Sequence, residues 1–259
     1  MPGAKHVEQV REQFNRQADA YAEMQVVRDE RILEFLVGIS GVTRDDAVLD
    51  VASGPGFMTM GFAARAARAV GVDITDRFLE SARAEAARRG IGNVIFLQGD
   101  VENLHFGPAT FRIALCKFAF HHFPRPERVL AEMKRVITRD GRIVLVDMLA
   151  SEDPEKAAYH NRIERLCDPS HAAALPESRF KRIFEKLGLK VAFEMKGETS
   201  YALEDWLRHG GPSPEATREI EVLMRDSIDP DRSGLKVRIE GDGIHFTHTG
   251  GTFVLARRA

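Results

Sequence analysis

The stretch VLDVASGPGFMTMGFA, Val48 to Ala63, runs from a short β-rich apolar segment through a glycine-rich turn into an apolar segment with helical character. Gly54 and Gly56 supply G-x-G, but the third glycine of a dinucleotide fingerprint would fall at position 59, which is Thr59. Phosphates bind at such turns through backbone N–H groups, and Pro55 has none to offer. Asp50 closes the strand just before the turn, where a carboxylate repels a phosphate and attracts a cation. Read as Asp50-x-Ala52-x-Gly54-x-Gly56, the segment suits a ligand with positive charge and little bulk. The methionyl part of S-adenosylmethionine, with its ammonium and sulfonium, fits that description.

Outward from this turn the chain alternates β-rich and helical runs. AVLDVA is strand one, FMTMGFAARAAR its helix, AVGVDI strand two and DRFLESARAEAARRG the next helix; NVIFLQGD and RIALCKF are strands three and four. RPERVLAEMKRVIT then gives a helix and GRIVLVDML strand five, the pattern of an α/β protein with a parallel sheet wound by right-handed crossovers. PESRFKRIFEKLGL and KVAFEM continue it, and GIHFTHTGGTFVLARR reads as a last strand. A helix-rich extension over residues 5–38 precedes the sheet; Val7, Val10, Phe14, Ala18 and Tyr21 give it one apolar face. Residues 151–175 and 203–232 read as helical insertions after strands five and six. No internal repeat or low-complexity linker appears, so residues 1–259 are expected to form a single domain with a cofactor-binding core at 46–148.

Composition excludes several classes. With 37 basic and 39 acidic side chains the formal charge is −2, so no overall field holds a polyanion, and nucleic acid is not an expected partner. Cys116 and Cys167 are the only cysteines, too few for a disulfide framework or a structural zinc site. No metal site is expected. The N-terminal MPGAKHVEQVREQF lacks an apolar signal core, and no apolar run approaches the roughly 18–20 residues that span a bilayer. The expectation is a cytoplasmic protein, monomer or homodimer, with a small-molecule acceptor as its partner.

A doubly wound sheet binds ligands outside the carboxyl ends of its strands, and each strand here ends in a useful residue. Asp73 ends strand two about 20 residues past Gly54, where an acid accepts from ribose hydroxyls. Asp100 and Val101 follow strand three, fit to accept from the adenine amine and to cover the ring; Lys117 and Phe118 end strand four. VLDVASGPG, GVDI, LQGDVENL and FAFHHFPRPERVLAEMKRVITRDGRIVLVDM together resemble a class I S-adenosylmethionine-dependent methyltransferase, similar to the small-molecule branch that includes ubiquinone and menaquinone C-methyltransferases. The resemblance implies a Rossmann-like seven-stranded sheet whose last strand is antiparallel, with a helical N-terminal lid. It implies S-adenosylmethionine as cofactor, held at the methionyl end by Asp50, Ala52, Ser53, Gly54 and Gly56. Asp73 and Ile74 would hold the ribose and adenine side and Asp100 with Val101 the adenine; Lys117, Phe118 and the lid's Tyr21 complete the set. Lys117 departs from the smaller or amide side chains that the family often carries there.

The expected reaction is in-line transfer of a methyl group to oxygen, carbon or nitrogen of a small organic acceptor; the alternative is a non-methylating protein that keeps the cofactor structurally, as a pericyclase would. Transfer gains from positioning and from a base that takes the acceptor's proton. His121, His122, His160 and His171 fall around the expected mouth, with His122 and His171 the candidates for catalysis. His245 and His248, alternating on the last strand, read as structural or exposed, and Trp206 as core.

Overall fold

The computed structural model describes residues 2–23 and 29–258, except the side chains of residues 2–5, 17 and 19–23. The sheet is a continuous ladder in the order β3 (Val94–Gln98), β2 (Arg68–Asp73), β1 (Ala47–Val51), β4 (Phe111–Lys117), β5 (Ile137–Ala150), β9 (Gly243–Arg257) and β7 (Leu189–Ala202). β1 pairs in parallel with both β2 and β4, and β4 with β5. β9 inserts between β5 and β7 and is antiparallel to each. These seven strands, the last of them antiparallel, are the expected Rossmann-like sheet. Two short strands add to it: β6 (Leu175–Pro176) beside β5, and β8 (Arg238–Glu240), paired with β9.

Helices cover both faces, because the central strands are buried on both sides. α3 (Phe57–Ala63), α4 (Asp76–Arg88), α5 (Pro126–Val136) and α7 (Glu177–Lys186) form the crossovers of the sheet. α1 (Pro2–Glu23) and α2 (Glu30–Ser40) precede it. Phe111, Leu130, Met133, Phe180, Phe184 and Phe253 fill one side of the sheet; Leu36, Val48, Phe62, Ile113 and Val254 fill the other. α3 is shorter than the expected run to Arg68, since Arg68 already belongs to β2.

The insertions build a third apolar cluster. α6 (Pro154–Cys167), α8 (Leu203–Gly210) and α9 (Pro214–Asp226) bring together Ile163, Leu203, Ile220, Met224 and Phe246. Asp153 caps α6, accepting from the N–H groups of Glu155 and Lys156, and Ser213 caps α9 by accepting from Ala216. β7 runs to Ala202, well past the expected KVAFEM, because the outer half of β9 needs a partner. That outer half, Thr199–Ala202 against His245–His248, forms a wall above the sheet. None of the described helices is long and apolar enough to cross a membrane.

Candidate functional site

At β1 the direction of winding reverses, with β2 on one side and β4 on the other, and a crevice opens there beyond the carboxyl ends of the strands. The turn after β1 is shaped by residues with positive φ: Ala52 (57°), Gly54 (52°) and Gly56 (78°). Gly56 is also sterically required, since a Cβ there would lie 2.5 Å from the Phe96 ring. Ala52, like Phe118 (φ 52°) after β4, is a non-glycine residue in the left-handed region, a strain of about 1–3 kcal/mol each that the surrounding structure must sustain. Both line the crevice.

The crevice is a cavity of about 790 Å³. Of the residues expected at the cofactor, Ala52, Gly54, Asp73, Ile74, Asp100, Val101, Lys117 and Phe118 line it. Asp73 is buried, and its carboxylate already accepts from the Gly54 N–H (2.7 Å) and the Thr75 N–H (2.8 Å), which ties the turn to the end of β2. Two oxygens with four lone-pair sites leave acceptor capacity for a diol. Phe78, Phe123 and Pro124 supply apolar wall that the sequence reading did not name.

Three of the expected residues stand elsewhere. Asp50 lies beneath the turn and accepts from Thr59 Oγ1 at 2.6 Å, so the residue that displaces the third glycine serves as its partner. Burial pushes the Asp50 carboxyl up to about 7, against that hydrogen bond. Ser53 points its Oγ toward Gly71, where a Cβ would meet it at 2.8 Å, and Gly56 packs on Phe96. These residues shape the turn and do not line the crevice. Tyr21 lies in α1, and its side chain is outside the described residues. Lys117 does line the crevice: burial lowers its ammonium to about 8, against the attraction of Asp50, and Nζ stands 4.7 Å from the Phe118 ring centroid.

α1 covers the crevice, presenting His6, Val7, Val10 and Phe14 to it. Phe14 meets Phe78 at 5.8 Å and the His122 ring at 5.0 Å, the latter edge-on; His6 Nε2 is 2.8 Å from the His122 carbonyl. Arg77 donates to the Asn15 carbonyl at 3.2 Å from α4. Beyond Phe14 lies a second cavity of about 1030 Å³, walled by α6, α8 and the outer half of the β7–β9 pair. Glu164, Cys167, Tyr201, Trp206, His209 and His248 are among its residues, and Phe14, Phe118 and His122 belong to both cavities. Trp206 therefore faces a cavity as well as packing on Phe246.

The histidines divide by environment. His122 reaches both cavities, but burial and then the neighbouring His121 charge lower it to about 4. His171 lies away from both, its Nε2 bonded to Asn161 Oδ1 at 2.7 Å, and burial lowers it to about 2. Its ring is a brace between α6 and the following loop. His121 lines the second cavity, with Nδ1 2.6 Å from Asp147 Oδ1 and its backbone N–H donating to Asp147 Oδ2 at 3.0 Å. Burial disfavours its charge, yet the carboxylates around it, Asp147 foremost and then Glu164 and Asp168, together outweigh burial and raise its pKa. Asp147 ends the core of β5, inside a run that reads as buried strand. Of the two expectations for His248, structural or exposed, burial excludes the second: its Nε2 is 2.9 Å from Glu164 Oε1, which also lies 3.2 Å from His160 Nε2. Burial would raise the Glu164 carboxyl, but His248 and His160 hold it well below the ordinary range.

Known proteins share the sheet and the turn-bearing segment. A family profile described as a methyltransferase domain matches residues 48–141, which span the turn, β2–β4 and the start of β5. The chain is 28% identical over 230 residues to the uncharacterized methyltransferase YcgJ of Bacillus subtilis, covering 89% of this chain and 91% of the relative. The chain is a class I S-adenosylmethionine-dependent methyltransferase. The YcgJ crystal structure superposes on this methyltransferase with a TM-score of 0.82 at 26% identity, over 89% of this chain and 99% of that one. A putative methyltransferase from Bacillus halodurans gives 0.83 at 27% identity, over 88% and 99%. The ubiquinone/menaquinone C-methyltransferase UbiE of Azotobacter vinelandii is 35% identical over 121 residues, 44% of this chain and 46% of that one. That match thus covers less than half of either protein. The methyltransferase uses S-adenosylmethionine to methylate a small-molecule acceptor.

Proposed function

We propose that the first cavity holds the cofactor and the second the acceptor, and that the methyl group passes between them beside Phe14, Phe118 and His122. The observation that carries this reading is the shared wall: these three residues line both cavities. When bound, S-adenosylmethionine supplies an electrophilic methyl on a sulfonium. Asp73 accepts from the ribose hydroxyls, Asp100 from the adenine amine, with Ile74, Phe78 and Val101 along the ring. The Lys117 ammonium, beside the turn, receives the methionyl carboxylate. α1 acts as the lid over this cavity, while residues 151–175 and 203–232 enclose the acceptor side.

The acceptor is a small organic nucleophile reacting at oxygen, carbon or nitrogen in line with the leaving sulfur. As the new bond to carbon forms, the sulfur–carbon bond breaks. The acceptor's proton goes to His121 Nε2, because Nδ1 is engaged by Asp147 and the carboxylate stabilises the imidazolium that results. His121 fits this task better than His122, whose environment disfavours a proton. Exclusion of water by the lid strengthens each of these interactions.

Calorimetry with S-adenosylhomocysteine and NAD tests the cofactor cavity, and product analysis with candidate acceptors tests transfer. The reading expects binding of S-adenosylhomocysteine and not of NAD, and release of one S-adenosylhomocysteine per acceptor consumed. Acceptor conversion without that release would assign the cofactor a structural role instead.

A further inference from the structure

At the far wall of the second cavity, α6 and β9 bring three metal-ligating side chains together. His160 and Glu164 stand one turn apart on α6, on one helix face, and His248 faces them from β9. Their ligating atoms all lie within 4.8 Å of one another. Glu164 Oε1 is 3.2 Å from His160 Nε2 and 2.9 Å from His248 Nε2. Metal–ligand bonds of about 2.0–2.2 Å place neighbouring ligands roughly 3.0–3.5 Å apart, from octahedral to tetrahedral angles. The two separations from Glu164 Oε1 fall at or beside that range, and the two imidazole nitrogens stand within 4.8 Å of each other, so one ion placed among the three needs only a modest closing of the triangle.

The set is also held in place. His160 is 2% exposed, Glu164 5% and His248 9%. The His248 ring is boxed by Phe246 at 5.1 Å, Tyr201 at 5.3 Å and Trp206 at 6.5 Å, so aromatic packing aims its Nε2 at Glu164. Glu164 and His248 both line the cavity, which leaves one side of the triangle facing the space where the acceptor would sit.

We propose that His160, Glu164 and His248 bind one divalent transition-metal ion of the zinc class, with its open positions facing the acceptor cavity. Two imidazoles and a carboxylate match the His₂Glu donor set of open zinc sites; magnesium and calcium favour oxygen donors throughout. One carboxylate cancels one of the ion's two charges. The remaining charge favours an acceptor oxygen that ionises on coordination, so the site selects a hydroxyl-bearing acceptor such as a phenol or enol. The proton displaced by coordination leaves to His121 or to solvent. This selection rests on the assignment of the second cavity to the acceptor; the ion-binding itself does not.

The test uses the full-length protein, stripped with a chelator and then titrated with Zn²⁺ by calorimetry and with Co²⁺ by visible absorption. S-adenosylhomocysteine binding is measured on the same samples. One equivalent of Zn²⁺ and d–d bands of a low-symmetry Co²⁺ site are expected. His248→Ala and, independently, His160→Ala should each weaken Zn²⁺ binding about 100-fold or more while S-adenosylhomocysteine still binds. A wild-type protein that binds S-adenosylhomocysteine but takes up no stoichiometric metal would overturn the proposal and identify the cluster as a buried ion pair. Metal binding of wild-type strength in both variants would overturn it too, placing the ion on other side chains. Failure to bind S-adenosylhomocysteine would instead count against the cofactor assignment, whatever the metal does.

Discussion

Asp73→Asn separates the two duties that the structure gives to this carboxylate. Its oxygens accept from the Gly54 N–H at 2.7 Å and the Thr75 N–H at 2.8 Å, and under the proposed function they also receive the ribose. An amide keeps one oxygen for one of the two N–H groups and turns an NH₂ toward the other. One buried donor is then unpaired, costing about 1–3 kcal/mol, or roughly 2–12 °C of Tm. Part of that is recovered, because burial raises the Asp73 pKa and the neutral amide escapes that penalty. Loss of a hydrogen bond from a ribose hydroxyl to a charged acceptor costs about 1.5–3 kcal/mol, raising Kd for S-adenosylhomocysteine about 10- to 150-fold. Asp73→Ala leaves both N–H groups unpaired, so its loss of stability should be about twice as large at a similar loss of affinity. Calorimetry gives the affinity and thermal unfolding the stability. A folded Asp73→Asn protein with wild-type affinity would refute the reasoning, reducing Asp73 to a tie between the turn and β2.

Three further outcomes are expected. With an acceptor in hand, the rate should rise through a pKa above the ordinary histidine value of 6.5, as His121 loses its proton; Asp147→Asn should move that limb to lower pH and lower kcat about 100-fold or more. An unmoved limb in that variant would clear His121 of the role of base. Because burial raises Asp50 to about 7 from 3.8, the native state binds the extra proton between those values, so stability falls as pH rises through that window and levels off above it. Asp50→Asn should flatten a slope worth on the order of 3 kcal/mol between urea unfolding at pH 5 and at pH 8, and an unchanged slope would show that other groups set it. S-adenosylhomocysteine should slow hydrogen exchange in α1, and Phe14→Ala should abolish that protection and weaken binding about 5- to 30-fold through lost apolar contact; protection equal to wild type would remove Phe14 from the lid's contact with the cofactor.

The parallel strands were legible because burial on both faces leaves near-continuous apolar runs, bounded by residues such as Gly54, Asp73 and Asp100 that cannot continue a strand easily. Lengths were less legible where tertiary pairing decides them. GETSYA after KVAFEM has no strong strand pattern, and it becomes strand because β9 runs alongside it. The split of residues 203–232 into α8 and α9 was written in the chain: Gly211 ends α8 at φ 62°, and Ser213 with Pro214 opens α9. Reading the segment as one insertion missed those stop and start signals.

The two cavities differ in the same way. The first cavity, proposed for the cofactor, is assembled from the ends of consecutive strands, so position in the winding pattern predicts which residues converge; Asp73, Asp100 and Phe118 follow from it directly. Asp50 shows the limit of that argument, because strand position fixes where Cα stands but not which way the side chain points, and Thr59 claims the carboxylate. The acceptor side has no such rule. Glu164 becomes a site only when β9 carries His248 to it from 84 residues away, and the spacing of His160 and Glu164 alone is common on solvated helices. His121 and Asp147 are similarly separated by a whole helix and most of a strand. Insertions and a strand pair extended beyond the sheet can therefore change the chemistry of the proposed acceptor cavity without disturbing the turn proposed to hold the cofactor, which is why the reaction class is readable from the sheet while the acceptor must be read from the helices above it.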